Sequence, residues 1–266
     1  SDVPTFVSGT FNGYTTAAPI TIVFENNNIR SADYSAIRNT PRPGHADFVL
    51  THKHKGYNDY RGGGHSSGRL TVALVAAGVV AKKILGKINI SATLTEAGGQ
   101  TNIEAAIAQA ITQQDSIGGI VSCTVTNLPV GLGEPFFNSV ESVISHAVFA
   151  VPAVKGIEFG VGFGAARMTG SVHNDMIINE EGKTATNTAG GINGGISNGN
   201  DITFRVAIKP TSSTPQTQQT WNNNTKTVAP FVVKGRHDLC IALRVPVVIE
   251  AATAIALADL YTCLAR

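Results

Sequence analysis

Apolar and polar residues alternate over residues 5–24 around Asn12-Gly13, a period of two that predicts a hairpin with a strand on either side of that turn. The polar stretch 25–34, followed by Pro41 and Pro43, predicts a loop crossing the surface. Residues 70–81 are almost wholly apolar, with Ser66 or Ser67 placed to cap a helix, Lys82 and Lys83 in its last turn and Gly86 at its stop. A helix apolar on nearly every face predicts burial on all sides, between two layers of sheet. Alternation returns at 88–94 and predicts a strand. Thr101-Asn102-Ile103-Glu104 reads as a capping box for an amphipathic helix that gathers Ile103, Ala106, Ile107, Ala110 and Ile111 on one face. Strands are predicted at 118–127 and 156–163, and between them a helix at 139–151 aligns Val140, Val143, Ile144, Ala147 and Val148.

A glycine-rich loop at 187–199 leads into a predicted strand at 201–209, which ends in Pro210-Thr211-Ser212-Ser213. The Gln-, Asn- and Thr-rich stretch 214–227 predicts a mobile loop. Last comes Gly235-Arg236-His237-Asp238, then a small-residue helix running to Leu264, for which Pro246 suits the first turn. A glycine-plus-basic turn followed by a Val/Ala helix thus occurs at 65–81 and again at 236–258, which points to two pseudo-equivalent halves. The fold class expected is α+β, with buried central helices.

Composition narrows the function classes. At 266 residues and 42% hydrophobic, the chain buries a sizeable core as one large domain or two intimate halves. Charged residues are only 14%, and 28 glycines favour tight turns and close backbone approaches. A net charge of +2 is too small for a nucleic-acid surface, so anion recognition has to come from local clusters. Cys123, Cys240 and Cys263 are far apart, odd in number and form no Cys-x-x-Cys pair, which predicts a reduced, cytoplasmic setting. The longest apolar run, 70–81, falls short of the roughly 20 residues that span a bilayer, and no signal peptide leads the chain. Neither a membrane nor a nucleic acid is expected as a partner.

The candidate chemistry is anionic recognition. Arg42, Arg61, Arg69 and His65 crowd near a helix start, where charge-assisted hydrogen bonds of about 1.5–3 kcal/mol each hold phosphate. Pairing of the arginines with Asp47 and Asp59 is the alternative. Lys209-Pro210-Thr211-Ser212-Ser213 offers a second anion site at a strand end. The loop 190–199 has neither dinucleotide nor Walker spacing, and says only that backbone must approach something closely, such as another strand. His52 and His54 lack a third ligand at a supporting spacing, so no metal site is expected. Asp238, flanked by Arg236 and His237, can act as a proton acceptor or as one half of a structural salt bridge.

Arg-Pro-Gly-His-Ala-Asp at 42–47, Asp-Tyr-Arg-Gly-Gly-Gly at 59–64, Val-Gly-Leu-Gly-Glu-Pro at 130–135, Ala-Val-Lys-Gly-Ile-Glu-Phe-Gly at 153–160, Ala-Gly-Gly-Ile at 189–192, Lys-Pro-Thr-Ser-Ser at 209–213 and Gly-Arg-His-Asp at 235–238 fall in one order along the chain. In that order they resemble the chorismate synthase family. The resemblance implies a β-α-β sandwich and a homotetramer. It also implies bound reduced FMN, required although the reaction has no net redox change, with an external flavin reductase among the partners the family allows. The reaction implied is a 1,4-anti-elimination in which 5-enolpyruvylshikimate 3-phosphate loses phosphate and a hydrogen on C6 to give chorismate, the flavin lending electron density and accepting the proton at N5. By similarity, His45 keeps the flavin in the right protonation state, Asp238 relays the proton, and Ser67 supports that relay. Arg42, Arg69 and Arg236 would hold substrate phosphate and carboxylates, with Arg236 also near the flavin. Ser66, Ser67, Ala153, Gly194, Lys209, Pro210, Thr211, Ser212 and Ser213 would contact FMN.

The family's opening Gly-x-Ser-His-Gly motif, whose histidine protonates the leaving phosphate, does not stand in this chain, which starts at Ser1. Ser145-His146-Ala147 lies inside a predicted helix and does not substitute. His65 stands where many members carry Arg, and Pro152 where many carry Asn. The expectation is a single chorismate synthase domain over 1–266 that lacks its N-terminal segment and is nearly inactive alone. The alternative is a non-catalytic flavin-binding or assembly protein derived from the family.

Overall fold

A computed structural model of the chain describes residues 3–26, 37–233 and 238–264, so that most of the predicted loop at 25–34, Arg236 and the Arg61 side chain lie outside the described parts. Its centre is a four-stranded antiparallel sheet in the order β5-β6-β10-β7, made of β5 (Asn89–Ala97), β6 (Gly119–Thr126), β10 (Ile202–Ile208) and β7 (Val154–Phe159). The period of two puts Ile90, Ala92, Val121, Cys123, Val125, Ile202, Phe204 and Val206 on one buried face. Ser91, Thr93, Ser122 and Thr124 face the other way and keep some exposure, as a sheet covered on one side requires. The α+β class is as expected.

Helix α4 (Val140–Phe149) and helix α6 (Pro246–Leu264) cover the buried face. Ser139 caps α4 by accepting the Ser142 amide at 3.1 Å, and Val140, Ile144 and Val148 point into the core. By length and composition alone α6 is apolar enough to cross a membrane. Here it is the core helix: Ile249, Thr253, Ala254 and Leu257 are fully buried, and Thr253 satisfies its hydroxyl on the Ile249 carbonyl at 2.7 Å.

Helix α2 (Thr71–Leu85) lies on α6 rather than on the sheet. Their backbones meet at Gly78, where a Cβ would stand 2.4 Å from the Ala251 Cβ and 2.6 Å from its Cα. Lys82 Nζ donates to Glu250 Oε2 at 2.6 Å, and Glu250 Oε1 accepts the Ala92 amide at 2.9 Å, so one carboxylate ties α2, α6 and β5 together. The prediction that α2 is buried on all sides is corrected. Gly78, Ala81 and Leu85 are buried, whereas Val79 and Ile84 are 53% and 51% exposed. The physical reason is that α2 occupies the second helical layer, with α6 between it and the sheet, and its outer side meets no sheet among the described residues.

Other differences are local. The first hairpin forms as two ladders, β1 (Pro4–Ser8) with β4 (Thr21–Phe24) and β2 (Thr10–Phe11) with β3 (Tyr14–Thr15), around the expected Asn12-Gly13 turn. Asn102, one residue beyond Thr101, caps α3 (Ile103–Gln113) by accepting the Ala105 amide at 3.0 Å, and Ile111 is exposed. A short helix α1 (Asp47–Lys53) follows the Arg42 turn where no helix was expected. The stretch predicted as a mobile loop contains a hairpin instead, β11 (Gln218–Asn222) against β12 (Thr227–Phe231), held by cross-strand pairs such as Trp221 with Val228. A helix α5 (Gly170–His173) and a small hairpin of β8 (Ile192–Asn193) and β9 (Ile196–Ser197) complete the described elements.

Gly78→Ala tests the α2–α6 contact by its sign. At an exposed helical site the change would stabilise by up to about 1 kcal/mol. Here we expect destabilisation of about 1–3 kcal/mol, because the added methyl forces the helices apart, measured as a lower urea midpoint at unchanged slope.

Candidate functional site

The site is built at one end of the sheet, where β10 stops at Ile208, β6 begins at Gly119 and β7 begins at Val154. The loop leaving β10 carries Lys209, Pro210, Thr211, Ser212 and Ser213. Its first amide, Lys209 N, donates to the Ala153 carbonyl at 2.9 Å, and Ala153 holds a left-handed backbone with φ 73°. Ser116 Oγ donates to the Thr211 carbonyl at 2.7 Å, and Thr214 Oγ1 donates to Asp115 Oδ1 at 2.9 Å, so the turn between α3 and β6 pins the loop from the other side. Ile117 N donates to the Leu239 carbonyl at 2.8 Å, which brings the Asp238-Leu239 segment to the same end. Asp238 itself pairs with Arg244, Oδ1 to Nη2 at 3.0 Å, with both side chains well exposed.

The Arg42 turn docks on this loop. Lys209 Nζ donates to the Gly44 carbonyl at 3.0 Å and to Ser212 Oγ at 2.6 Å, and Ser212 Oγ donates in turn to the same carbonyl at 2.8 Å. Arg42 Nη1 donates to Ser213 Oγ at 3.1 Å. The rest of the Arg42 guanidinium is taken by Asp47, Nε to Oδ2 and Nη2 to Oδ1, each at 2.8 Å. Of the two alternatives for Arg42, pairing with Asp47 is therefore the one seen. The pair is largely sealed, with side-chain exposures of 9% and 13%. Burial by itself pushes the Asp47 carboxyl up, but hydrogen bonds from Arg42 and His45 outweigh it and hold the group well below the usual carboxylate range. The β11–β12 hairpin braces the approach to this turn: Thr220 Oγ1 donates to the Pro41 carbonyl at 2.7 Å, and Asn223 N to the Asn39 carbonyl at 2.8 Å.

His45 Nδ1 stands 2.7 Å from Asp47 Oδ1 and 3.0 Å from Arg42 Nη2. With a proton on Nδ1 the ring donates to Asp47, and without one it accepts from Arg42. In either case Nδ1 is engaged by the ion pair, and Nε2 is the nitrogen left for chemistry outside it.

The fold brings Arg42, His45, Ala153 and the 209–213 loop into one bonded cluster and places the Asp238 segment at the same sheet end. Ser66 and Ser67 are half-buried at the head of α2. Ser67 Oγ accepts the Arg69 amide at 3.3 Å, so it caps the 3-10 turn at Gly68–Leu70, one turn before the helix it was expected to cap. Gly194 is elsewhere. It lies in the β8–β9 turn, where the neighbouring Gly195 carbonyl accepts the Val140 amide at the head of α4, and it makes no bond to the Lys209 loop among the described residues. The glycines of that loop serve backbone-on-backbone contact: a Cβ on Gly190 would come within 2.5 Å of the Gly160 amide. Arg236 lies outside the described residues. His52 and His65 are exposed, and His52 Nδ1 stands 3.0 Å from the Phe48 carbonyl.

Sequence reasoning missed Asp115, Ser116 and Arg244, polar residues that look like ordinary loop content, and also Lys155. In the ladder between β7 and β10, Ala207 pairs with Gly156 and Ile208 with Val154, so Lys155 is the extra residue of a β-bulge. The donor set at the loop suits a phosphate-bearing cofactor. The Lys209 ammonium keeps one donor there, and among the described residues Thr211 Oγ1 is buried with no hydrogen-bond partner, an orphan that a ligand oxygen would satisfy.

Asp47→Asn is expected to cost about 1.5–3 kcal/mol at neutral pH, because it removes the charge that compensates Arg42. A carboxyl lowered on folding gives stability that is present above its unfolded value of about 3.9 and is lost as pH falls. The stability gap between wild type and variant should thus be constant above about pH 5 and shrink below about pH 4, as read from urea unfolding across that range.

A sequence model described as chorismate synthase matches residues 1–262. A chorismate synthase of Chitinophaga pinensis is 65% identical over 259 residues, which cover 97% of this chain and 78% of that protein. A chorismate synthase of Dehalococcoides mccartyi is 45% identical over 284 residues, covering 95% and 78%. Among solved structures, one titled Crystal Structure of Chorismate Synthase superposes with a TM-score of 0.73 at 25% identity, covering 97% of this chain and 78% of the other. With these matches along the length of the Arg42 turn, the sheet and the Lys209 loop, the chain belongs to the chorismate synthase family.

Proposed function

We infer that the chain is a lyase of aromatic amino acid biosynthesis, which removes phosphate from 5-enolpyruvylshikimate 3-phosphate by 1,4-anti-elimination to give chorismate, and that it holds reduced FMN where the Arg42 turn meets the Lys209 loop. The lyase reaction rests on the family. The observation that carries the cofactor's place is the joint of Lys209 Nζ, Ser212 Oγ and the Gly44 carbonyl beside the orphan Thr211 hydroxyl. When bound, reduced flavin supplies electron density to the breaking carbon–oxygen bond and a base for the departing proton.

This chain's residues do the rest by positioning and proton handling. Lys209 offers its remaining ammonium hydrogen and Thr211 its hydroxyl to an anionic oxygen, while Ser212, donating to the Gly44 carbonyl, holds the ammonium in place. His45, its Nδ1 occupied by the sealed Arg42–Asp47 pair, holds its ring in one orientation and keeps Nε2 for a proton at the reacting end. Asp238 is the proton acceptor at the same sheet end. Its contact with Arg244 is an exposed ion pair, worth little and easily exchanged. By family resemblance, Arg69 and Arg236 complete the substrate side and Ser67 supports the proton relay. Gly194, in the β8–β9 turn, contacts the flavin by family resemblance alone.

We also propose a cytoplasmic homotetramer, with flavin reduced by the chain itself or by an external reductase. The exposed aromatic residues Phe136 and Phe137, at 87% and 91%, support assembly. The family's Gly-x-Ser-His-Gly acid is not among these residues. Alone, therefore, they should turn over substrate about 10²–10⁴-fold more slowly than a protein that includes it.

In a protein carrying both that acid-bearing segment and residues 1–266, Asp238→Asn should bind FMN as tightly as wild type and lose about 10²–10⁴-fold in anaerobic phosphate release. Unchanged turnover would remove Asp238 from the proton path.

A further inference from the structure

Bulges re-aim a side chain, and the bulge between β7 and β10 falls at Lys155, two residues after Ala153, whose carbonyl accepts the Lys209 amide at 2.9 Å. Two ammonium groups are thereby held at one corner of the sheet. Burial lowers the Lys209 pKa first, and the charge of Lys155 lowers it further, so the two are close enough to repel. Among the described residues neither has a carboxylate within ion-pair distance. Arg42, which reaches the same loop through Ser213, contrasts with them because Asp47 compensates its charge.

Lys209 spends two of its three ammonium hydrogens on Gly44 and Ser212, which leaves one for a ligand. Two residues on in the same loop, Thr211 Oγ1 is buried and unpaired among the described residues. The Lys155 side chain is exposed and its ammonium makes no hydrogen bond among the described residues, so it keeps all three of its donors. Two uncompensated ammoniums and a spare hydroxyl match a doubly charged phosphate monoester better than a single carboxylate, because each ammonium then meets one unit of negative charge.

We propose that Lys155 is a phosphate-recognition residue: placed by the bulge, it joins Lys209 and Thr211 in holding the phosphate monoester of the flavin, and so selects FMN over unphosphorylated riboflavin. This rests on the reading that flavin binds at the Lys209 loop. Lys155 acts at the ligand's charged end, away from the reacting atoms, so its effect is on binding.

Oxidised FMN and riboflavin are titrated by flavin fluorescence into wild type, Lys155→Met and Lys155→Arg. The expected result is an FMN affinity about tenfold weaker in Lys155→Met, riboflavin affinity within about twofold of wild type, and FMN affinity largely restored in Lys155→Arg. Equal weakening of both flavins, or unchanged FMN affinity, overturns the proposal. If wild type takes up neither flavin, the flavin reading itself fails. Inorganic phosphate, titrated against the lysine ammonium NMR signals, then decides Lys155 separately: weaker phosphate binding in Lys155→Met supports its role, and equal binding overturns it.

Discussion

The close approach of α2 to α6 at Gly78 is the constraint from which the rest of the architecture follows. A side chain there would hold the helix axes apart. Without one, Lys82 reaches Glu250, and Glu250 reaches the Ala92 amide on the edge strand, so a single carboxylate locks two helices and the sheet. The head of α2 is the turn of Ser66, Ser67 and Arg69. Its position is therefore set by backbone contact far down the helix rather than by anything at the turn itself.

Charge is divided at the site in a way that separates architecture from ligand binding. Arg42 and Asp47 form a sealed, mutually satisfied pair that fixes the turn and orients His45. Lys209 and Lys155, in contrast, keep charge that no acid answers among the described residues. A buried pair of this sort adds modestly to stability and strongly to geometry, whereas Lys209, part-buried and facing a second ammonium, is left with a charge that an anion would answer.

The elements legible in the sequence were those whose own residues decide them. The β6 and β10 alternation, the Ser139 cap and the Pro246 start all report local physics, and the structure has them. What escaped depends on partners. The apolar content of α2 says that it packs, and does not say that α6 stands between it and the sheet. The Gln and Thr residues of β11 look like loop until Trp221 finds Val228 across the ladder. Helix α1 has no apolar side chain that is fully buried and so leaves no periodic trace. At the site, the clustering of basic residues near 42–69 was visible, yet spacing could not show that Asp47 takes up Arg42, and a single-residue bulge at Lys155 leaves no mark in the pattern at all.

The bonds that close the site join residues very far apart in sequence. Gly44 meets Lys209, Arg42 meets Ser213, and Pro41 meets Thr220, separations of 165, 171 and 179 residues. Contacts of such range carry the full entropic cost of closing a long loop before they return any energy, so they form after the local helices and hairpins. The anion site is thus a late product of folding. Intermediates with helices in place and the Arg42 turn still undocked lack the paired surfaces that recognise phosphate, and ligand uptake reports that this turn has docked on the Lys209 loop.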